Sequence, residues 1–261
     1  MSKIKHSSGF RNELLEYLRS DDLLVNECFR LPAVRDLLTK DRYFNTFSSE
    51  IEFGASDKVT AQAIDHNSDE LRMFFHEMSL RPDLISKPLS CLNAVAMHAY
   101  KMKVLTIGCR TEAEIFSLVN AGFDINNIKG VDLFSYTPLI EIGDVTDLPY
   151  SDNQFDVVVC GWVLEFVTDI DKAVSEIKRV TKKDGFIAIG GMHHPTSLDL
   201  KAYNKRANHE DRVWYASVEG ILAAFMVSHQ DCVFQSEIYE EDLDKRGEVI
   251  VIFRYRGQEN V

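Results

Sequence analysis

The sequence predicts an α/β fold: a doubly wound, mostly parallel seven-stranded sheet with an antiparallel last strand and an N-terminal helical cap. Three observations carry this. From Met102 onward, short apolar runs alternate with stretches of helical periodicity, the mark of βαβ units. Before residue 100 the apolar residues recur at helical spacing instead. Near the end, two apolar runs flank a short charged segment, Glu240 to Gly247, which suits an antiparallel pair at a sheet edge. The expected division is 1–100 as a helical cap region and 101–261 as the α/β domain.

In the cap region, Phe10, Leu14, Leu15 and Leu18 share one helical face. Leu23, Leu24, Val34, Leu37 and Leu38 suggest a second helix, with Pro32 near its start. A further periodic stretch runs from Leu71 to Met78, Arg81-Pro82 breaks it, and another helical run covers Cys91 to Tyr100. The expected strands are 102–107, 128–132, 139–142, 155–160, 185–190, 233–239 and 248–255, with helices over 112–121 and 169–181. One spacing is awkward. Only Leu133 to Pro138 separate the second strand from the third, whereas a parallel crossover normally needs about a dozen residues. Either a helix has been lost there, or 139–142 is not a parallel strand.

Bulk properties narrow the function. The chain has 261 residues and a formal net charge of −12, which argues against a broad nucleic-acid surface. Its five cysteines, Cys28, Cys91, Cys109, Cys160 and Cys232, form no CxxC pair, so neither a disulfide framework nor a zinc ribbon is expected. A cytoplasmic location follows as the expectation. The N-terminal stretch shows no apolar run of signal-peptide length, and no stretch approaches 18 apolar residues.

The chemistry-bearing signals lie at strand ends. Gly108 follows the first strand and permits a tight turn with close backbone approach. Thr111 and Glu114 have capping-box spacing, so a helix should open there and expose N–H groups to an anionic ligand group. The turn is not G-x-G-x-x-G, because Arg110 and Glu112 occupy glycine positions; a dinucleotide is disfavoured. Arg110 can offer its fork to a ligand carboxylate, or pair with Glu112 or Glu114 at the surface. Asp132 ends the second strand, where a carboxylate can take both hydroxyls of a ribose; the plainer reading is a turn aspartate. Asp144 can receive an exocyclic amine while Val145 offers backbone to a ring edge, and Asp147 reads as a turn residue before Pro149. Gly161-Trp162 follow the fourth strand, with the indole either beside the pocket or packed under the cap.

These residues resemble the class I S-adenosylmethionine-dependent methyltransferases. The resemblance covers about Lys101 to Pro195 and is strongest in GDVTDLPYSDNQFDVVVCGWVLEFVTDIDKAVSEIKRVTKKDGFIAIG. It implies S-adenosylmethionine as cofactor and a small-molecule branch of the family. The cofactor-binding set it implies is Gly108, Cys109, Arg110, Asp132, Leu133, Asp144, Val145, Gly161 and Trp162. Gly108 matches the glycine that holds the methionine part, Asp132 the ribose acid, and Asp144 with Val145 the adenine pair. Thr106 stands where the family usually has an acid.

Transfer to a hydroxyl needs a base, and His193 and His194 at the end of the fifth strand are the candidates. Residues 196–230 interleave basic and aromatic groups, among them Lys201, Arg206, Trp214 and Tyr215. That suits a small polar or anionic acceptor such as a nucleotide-linked or phosphorylated sugar of surface polysaccharide. The alternative is a non-catalytic relative that scaffolds a partner. No metal, nucleic acid or membrane span is expected, and the sequence leaves the oligomeric state open.

Overall fold

The structure, a computed structural model, describes residue 16 and residues 30–46, 52–53, 81–193, 217–237 and 247–257. The first described helix is α1 (Pro32–Asp41), with proline in its first turn, where no backbone donor is lost. It runs on into a π-helical turn, Arg42–Thr46. Then come α2 (Arg81–Cys91) and α3 (Asn93–His98). Arg81-Pro82 therefore lies within a helical segment where the sequence reading expected a break. The expected run over Cys91–Tyr100 is divided at Leu92, whose backbone is extended. The helices expected around Leu14 and Leu71 lie outside the described residues.

The α/β part follows as β1 (Val104–Ile107), α4 (Glu112–Asn120), β2 (Ile128–Asp132), β3 (Ile140–Ile142), β4 (Phe155–Gly161), α5 (Ile170–Val180), β5 (Thr181–His193), α6 (Val218–Phe225), β6 (Cys232–Ser236) and β7 (Gly247–Arg254). The sheet order is β3-β2-β1-β4-β5-β7-β6. The first five strands pair in parallel, and β7 runs antiparallel to both β5 and β6. The expected antiparallel ending is present, with β7 seated between β5 and the outermost β6. β5 is longer than the expected 185–190, because Thr181 joins the ladder ahead of an irregularity in register. The seven residues from Leu133 to Leu139 connect β2 to β3 without a helix, yet Gly130 to Asp132 pair in parallel with Ile140 to Ile142. Part of this short crossover, Phe134–Ser135, pairs instead with Glu52–Phe53.

Strand alternation splits the core into two layers. Leu105, Ile107, Val158, Ile187 and Val251 face α5 and α6, where Ile177, Ile221 and Phe225 are almost fully buried. Val104, Val157, Val159, Ala188 and Ile252 face the other way, onto Ile85 and Leu89 of α2 and Ile115 of α4. α1 covers α4 through Val34, Leu38 and Phe116, and a buried Arg35–Asp83 ion pair ties α1 to α2.

The sheet order reverses between β1 and β4. A crevice is expected at the carboxyl ends of strands flanking such a switch. Register fixes what arrives there: Ile107 lies opposite both Val131 and Cys160, so Gly108, Asp132 and Gly161 emerge at one edge.

Candidate active site

The turn after β1 is built around two left-handed residues, Gly108 (φ 68°) and Arg110 (φ 49°). The Gly108 N–H donates to the Val131 carbonyl at 2.8 Å. A Cβ at Gly108 would lie 2.1 Å from Val163 Cγ2, so glycine is needed both for the turn and for the segment after β4 that closes on it. The left-handed Arg110 is costlier, and such strain concentrates at functional sites. It aims the Arg110 N–H at Asp132 Oδ2, 2.8 Å away.

Asp132 is 6% exposed, and its other oxygen accepts from Leu133 N at 2.7 Å. Phe134 contributes a further backbone hydrogen bond to the carboxylate, which still leaves it some acceptor capacity. Desolvation raises the Asp132 carboxyl to about 6, and the Arg110 and Leu133 N–H groups with the Arg110 charge restrain the rise. The Asp132 carbonyl accepts from Gly143 N at 2.8 Å, which draws the loop after β3 to the same edge. In that loop Val145 is buried and Asp144 exposed. Asp144 Oδ1 accepts from both N and Oγ1 of Thr146 at 2.8 Å, and Asp147 N donates to the Asp144 carbonyl at 3.0 Å.

Cys109 turns inward. It is 1% exposed, and its sulfur fills the space a Cβ on Gly130 would need. Burial and the charges of Asp132 and Glu114 push its thiol well above the ordinary range. Only its backbone is left to serve a ligand in the turn.

The two acids of this turn have different fates, which the sequence did not separate. Glu112 is fully buried and held by Arg42 Nε at 2.6 Å and Nη2 at 3.0 Å, with a third hydrogen bond from Thr137 Oγ1. Its N–H donates to the Tyr136 hydroxyl at 3.1 Å. It is a structural anchor between the π-helical turn after α1, α4 and the β2–β3 crossover. Glu114 does not complete the capping box. Thr111 Oγ1 accepts from Ala113 N at 3.3 Å, but the Glu114 carboxylate swings to β1, where Oε2 accepts from Thr106 Oγ1 at 3.3 Å. Desolvation first, and Asp132 next among the raising influences, push Glu114 to about 8 against the pull of Arg110, Thr106 and Arg81. The Arg110 charge thus acts on Glu114 and Asp132, while Glu112 is taken by Arg42.

Trp162 (φ 59°) follows Gly161, and its N–H donates to the Gly190 carbonyl at 2.7 Å. The ring is 8% exposed and packs in the core with Ile85 of α2. Its Nε1 donates to Glu248, and the Arg81 guanidinium sits 4.7 Å from the ring centroid while bonding Glu248 at 3.2 Å. Of the two readings of Trp162, the structure favours packing under the cap. His193 ends β5 opposite Gly247 and is partly exposed. His194 and the basic–aromatic residues Lys201 to Tyr215 lie outside the described residues. The described part of that insertion, α6, is an apolar helix buried against the sheet. Among the described residues no cluster of metal-ligating side chains occurs, and no helix is long and apolar enough to cross a membrane.

Residues 105–189 match a sequence family described as a methyltransferase domain. The chain is similar to a demethylmenaquinone methyltransferase from Streptomyces avermitilis: 31% identical over 155 residues, covering 53% of this chain and 67% of that relative. It is also 31% identical over 105 residues to a demethylmenaquinone methyltransferase from Desulfitobacterium hafniense, covering 38% of this chain and 40% of that one. A 2-phytyl-1,4-naphtoquinone methyltransferase from Trichormus variabilis is 37% identical over 62 residues, 24% of this chain and 27% of its own. The chain therefore spans two thirds of the first of these relatives and less than half of the other two. A solved Galdieria sulphuraria structure named for sarcosine dimethylglycine methylation covers 86% of this chain and 99% of its own, with a TM-score of 0.51 and 14% identity. That likeness is one of fold.

Proposed function

We propose that this chain, which belongs to the class I S-adenosylmethionine-dependent methyltransferases, transfers a methyl group to a small molecule bearing a hydroxylated, electron-rich ring. The observation that carries the reading is the Asp132 carboxylate, fixed by the backbone N–H groups of Arg110, Leu133 and Phe134 at the switch of the sheet, with acceptor capacity left over. The donor set suits the cofactor. Asp132 accepts the ribose hydroxyls, and Arg110 offers its fork to the methionine carboxylate. Asp144 and the Val145 backbone take the adenine edge, and the Gly161 backbone walls the methyl-donor side. The cofactor, when bound, supplies a methyl already activated on a sulfonium. The chain's own contribution is alignment and exclusion of water. α2 serves the second task, lying over Trp162 with Ile85 and Arg81.

The ring acceptor is supported by the relatives, which are named for quinone substrates. A hydroxylated ring becomes a carbon nucleophile once its hydroxyl loses a proton, and His193 is the described group at the end of β5 suited to take it. A second reading, transfer to a saccharide hydroxyl on a nucleotide-linked or phosphorylated carrier, uses the same histidine. Its support is the basic–aromatic sequence from Lys201 to Tyr215.

The purified protein, given S-adenosylmethionine with a demethylated naphthoquinol or with a nucleotide-linked sugar, separates the readings by product mass and fragmentation. Methyl on ring carbon is expected. Methyl on sugar oxygen selects the second reading. Absence of cofactor binding by calorimetry at millimolar ligand removes both and leaves the scaffold. His193→Ala is expected to lower turnover by about 100-fold, the ordinary contribution of a general base, with cofactor affinity unchanged. Parental turnover in that variant removes the histidine from the mechanism.

A further inference from the structure

We infer that Glu114 is the carboxylate that receives the α-ammonium of the bound cofactor, standing in for the acid that β1 lacks at Thr106. The inference rests on the cofactor reading above and adds a residue to it. Three observations converge. Glu114 occupies the third helical position of α4, where a glutamate would ordinarily turn back to cap its own helix. It turns instead across to β1 and meets the Thr106 hydroxyl at 3.3 Å. Thr106 is completely buried, so a carboxylate that reaches it has come in from the helix to the base of the turn. The surroundings are also poorly matched for a lone carboxylate. Asp132 at the end of β2 repels it, and Arg110 in the turn and Arg81 at the start of α2 attract it only in part. Among the described residues, the Cys109 thiol in the turn after β1 and the Cys160 thiol on β4 also interact with it, and both are buried and held neutral.

A carboxylate left in that condition holds its proton up to about 8. A cation delivered by a ligand would reverse this, since an opposite charge within a few ångströms favours the ionised form. The cofactor carries such a cation, the ammonium of its methionine part, a few bonds from the sulfonium. Arg110 and Glu114 then divide that part between them, guanidinium to carboxylate and carboxylate to ammonium. The division explains how a turn with arginine and glutamate in glycine positions serves the same ligand. The acid has moved from the strand to the helix, and the charge it supplies arrives at the same place.

The test compares S-adenosylmethionine with methylthioadenosine, which keeps the nucleoside and lacks the amino-acid part. Calorimetric titration of Glu114→Gln should show affinity for S-adenosylmethionine reduced about 10- to 100-fold, as for loss of a charge-assisted hydrogen bond, with methylthioadenosine bound as by the parent. In the parent, affinity for S-adenosylmethionine should climb with pH from about 6 to about 8 as Glu114 loses its proton, and Glu114→Gln should flatten that part of the profile. Adding Thr106→Asp to Glu114→Gln returns a carboxylate to the strand and should recover most of the lost affinity. Equal loss for both ligands overturns the inference, because it marks a structural role. So does parental affinity for S-adenosylmethionine in Glu114→Gln, or a double variant that folds and stays as weak as the single one. Failure of the parent to bind either ligand sinks the cofactor reading itself, a different outcome from any of these.

Discussion

Asp132→Ala is expected to weaken S-adenosylmethionine binding by about 1.5–3 kcal/mol, the range for hydrogen bonds to a charged group. The carboxylate does two jobs that alanine cannot. It offers acceptor positions to a hydroxyl-bearing ligand, and it holds the Arg110 and Leu133 N–H groups in place. Losing it frees the left-handed turn at Arg110, so the second effect adds to the first. Calorimetry on the purified variant measures the loss, and unchanged affinity removes Asp132 from the ribose role. The ionised acid is not free of cost to the fold. Burial raises its pKa to about 6, above the ordinary carboxylate value. Its contribution to folding stability is therefore complete at pH values below the unfolded pKa and is lost as pH rises through about 6. The ligand-free protein should be correspondingly less stable on the alkaline side of that window, and Asp132→Ala should lack this part of the pH dependence in thermal melts.

Glu112→Ala is expected to cost about 3 kcal/mol of stability, at the low end for breaking a buried ion pair by removing one partner. Glu112 is fully buried, whereas Arg42 keeps a quarter of its side chain in solvent, which moderates the penalty. Alanine leaves the Arg42 guanidinium and the Thr137 hydroxyl without the acceptor that now binds both. The consequence should spread along the chain, since this carboxylate joins the π-helical turn after α1, α4 and the β2–β3 crossover. Urea or thermal denaturation gives the loss directly. A change below about 0.5 kcal/mol, the size of an ordinary surface substitution, contradicts the anchoring role. The contrast with Glu114→Gln is instructive. Of these two acids, two residues apart, replacing Glu112 should cost stability and replacing Glu114 should cost ligand affinity.

Much of the architecture was legible because its signals are local. Alternation between Met102 and Phe253 marked the strands, Thr111 marked a helix start that the structure caps with that side chain, and glycine after β1 marked the turn. Asp132 was legible as a strand-terminal acid. The helixless crossover was not, because seven residues suffice only when β3 is short and part of the connection pairs with Glu52–Phe53, a segment about eighty positions upstream. Trp162 was undecided between pocket and core, since only the position of α2 determines what covers the ring.

By itself the sequence determined the order of the strands, the two helices over 112–121 and 169–181, and which polar residues stand at strand ends. These depend on periodicity and on side chains reaching their own backbone within a few residues. Only the tertiary structure decided which acid of the first turn is an anchor and which reaches across to Thr106 on β1. Each carboxylate is defined by its partners, and Arg42 lies seventy positions from Glu112, while Thr106 reaches Glu114 only because strand and helix pack together. Such partnerships are properties of packing in three dimensions, and no spacing along the chain encodes them.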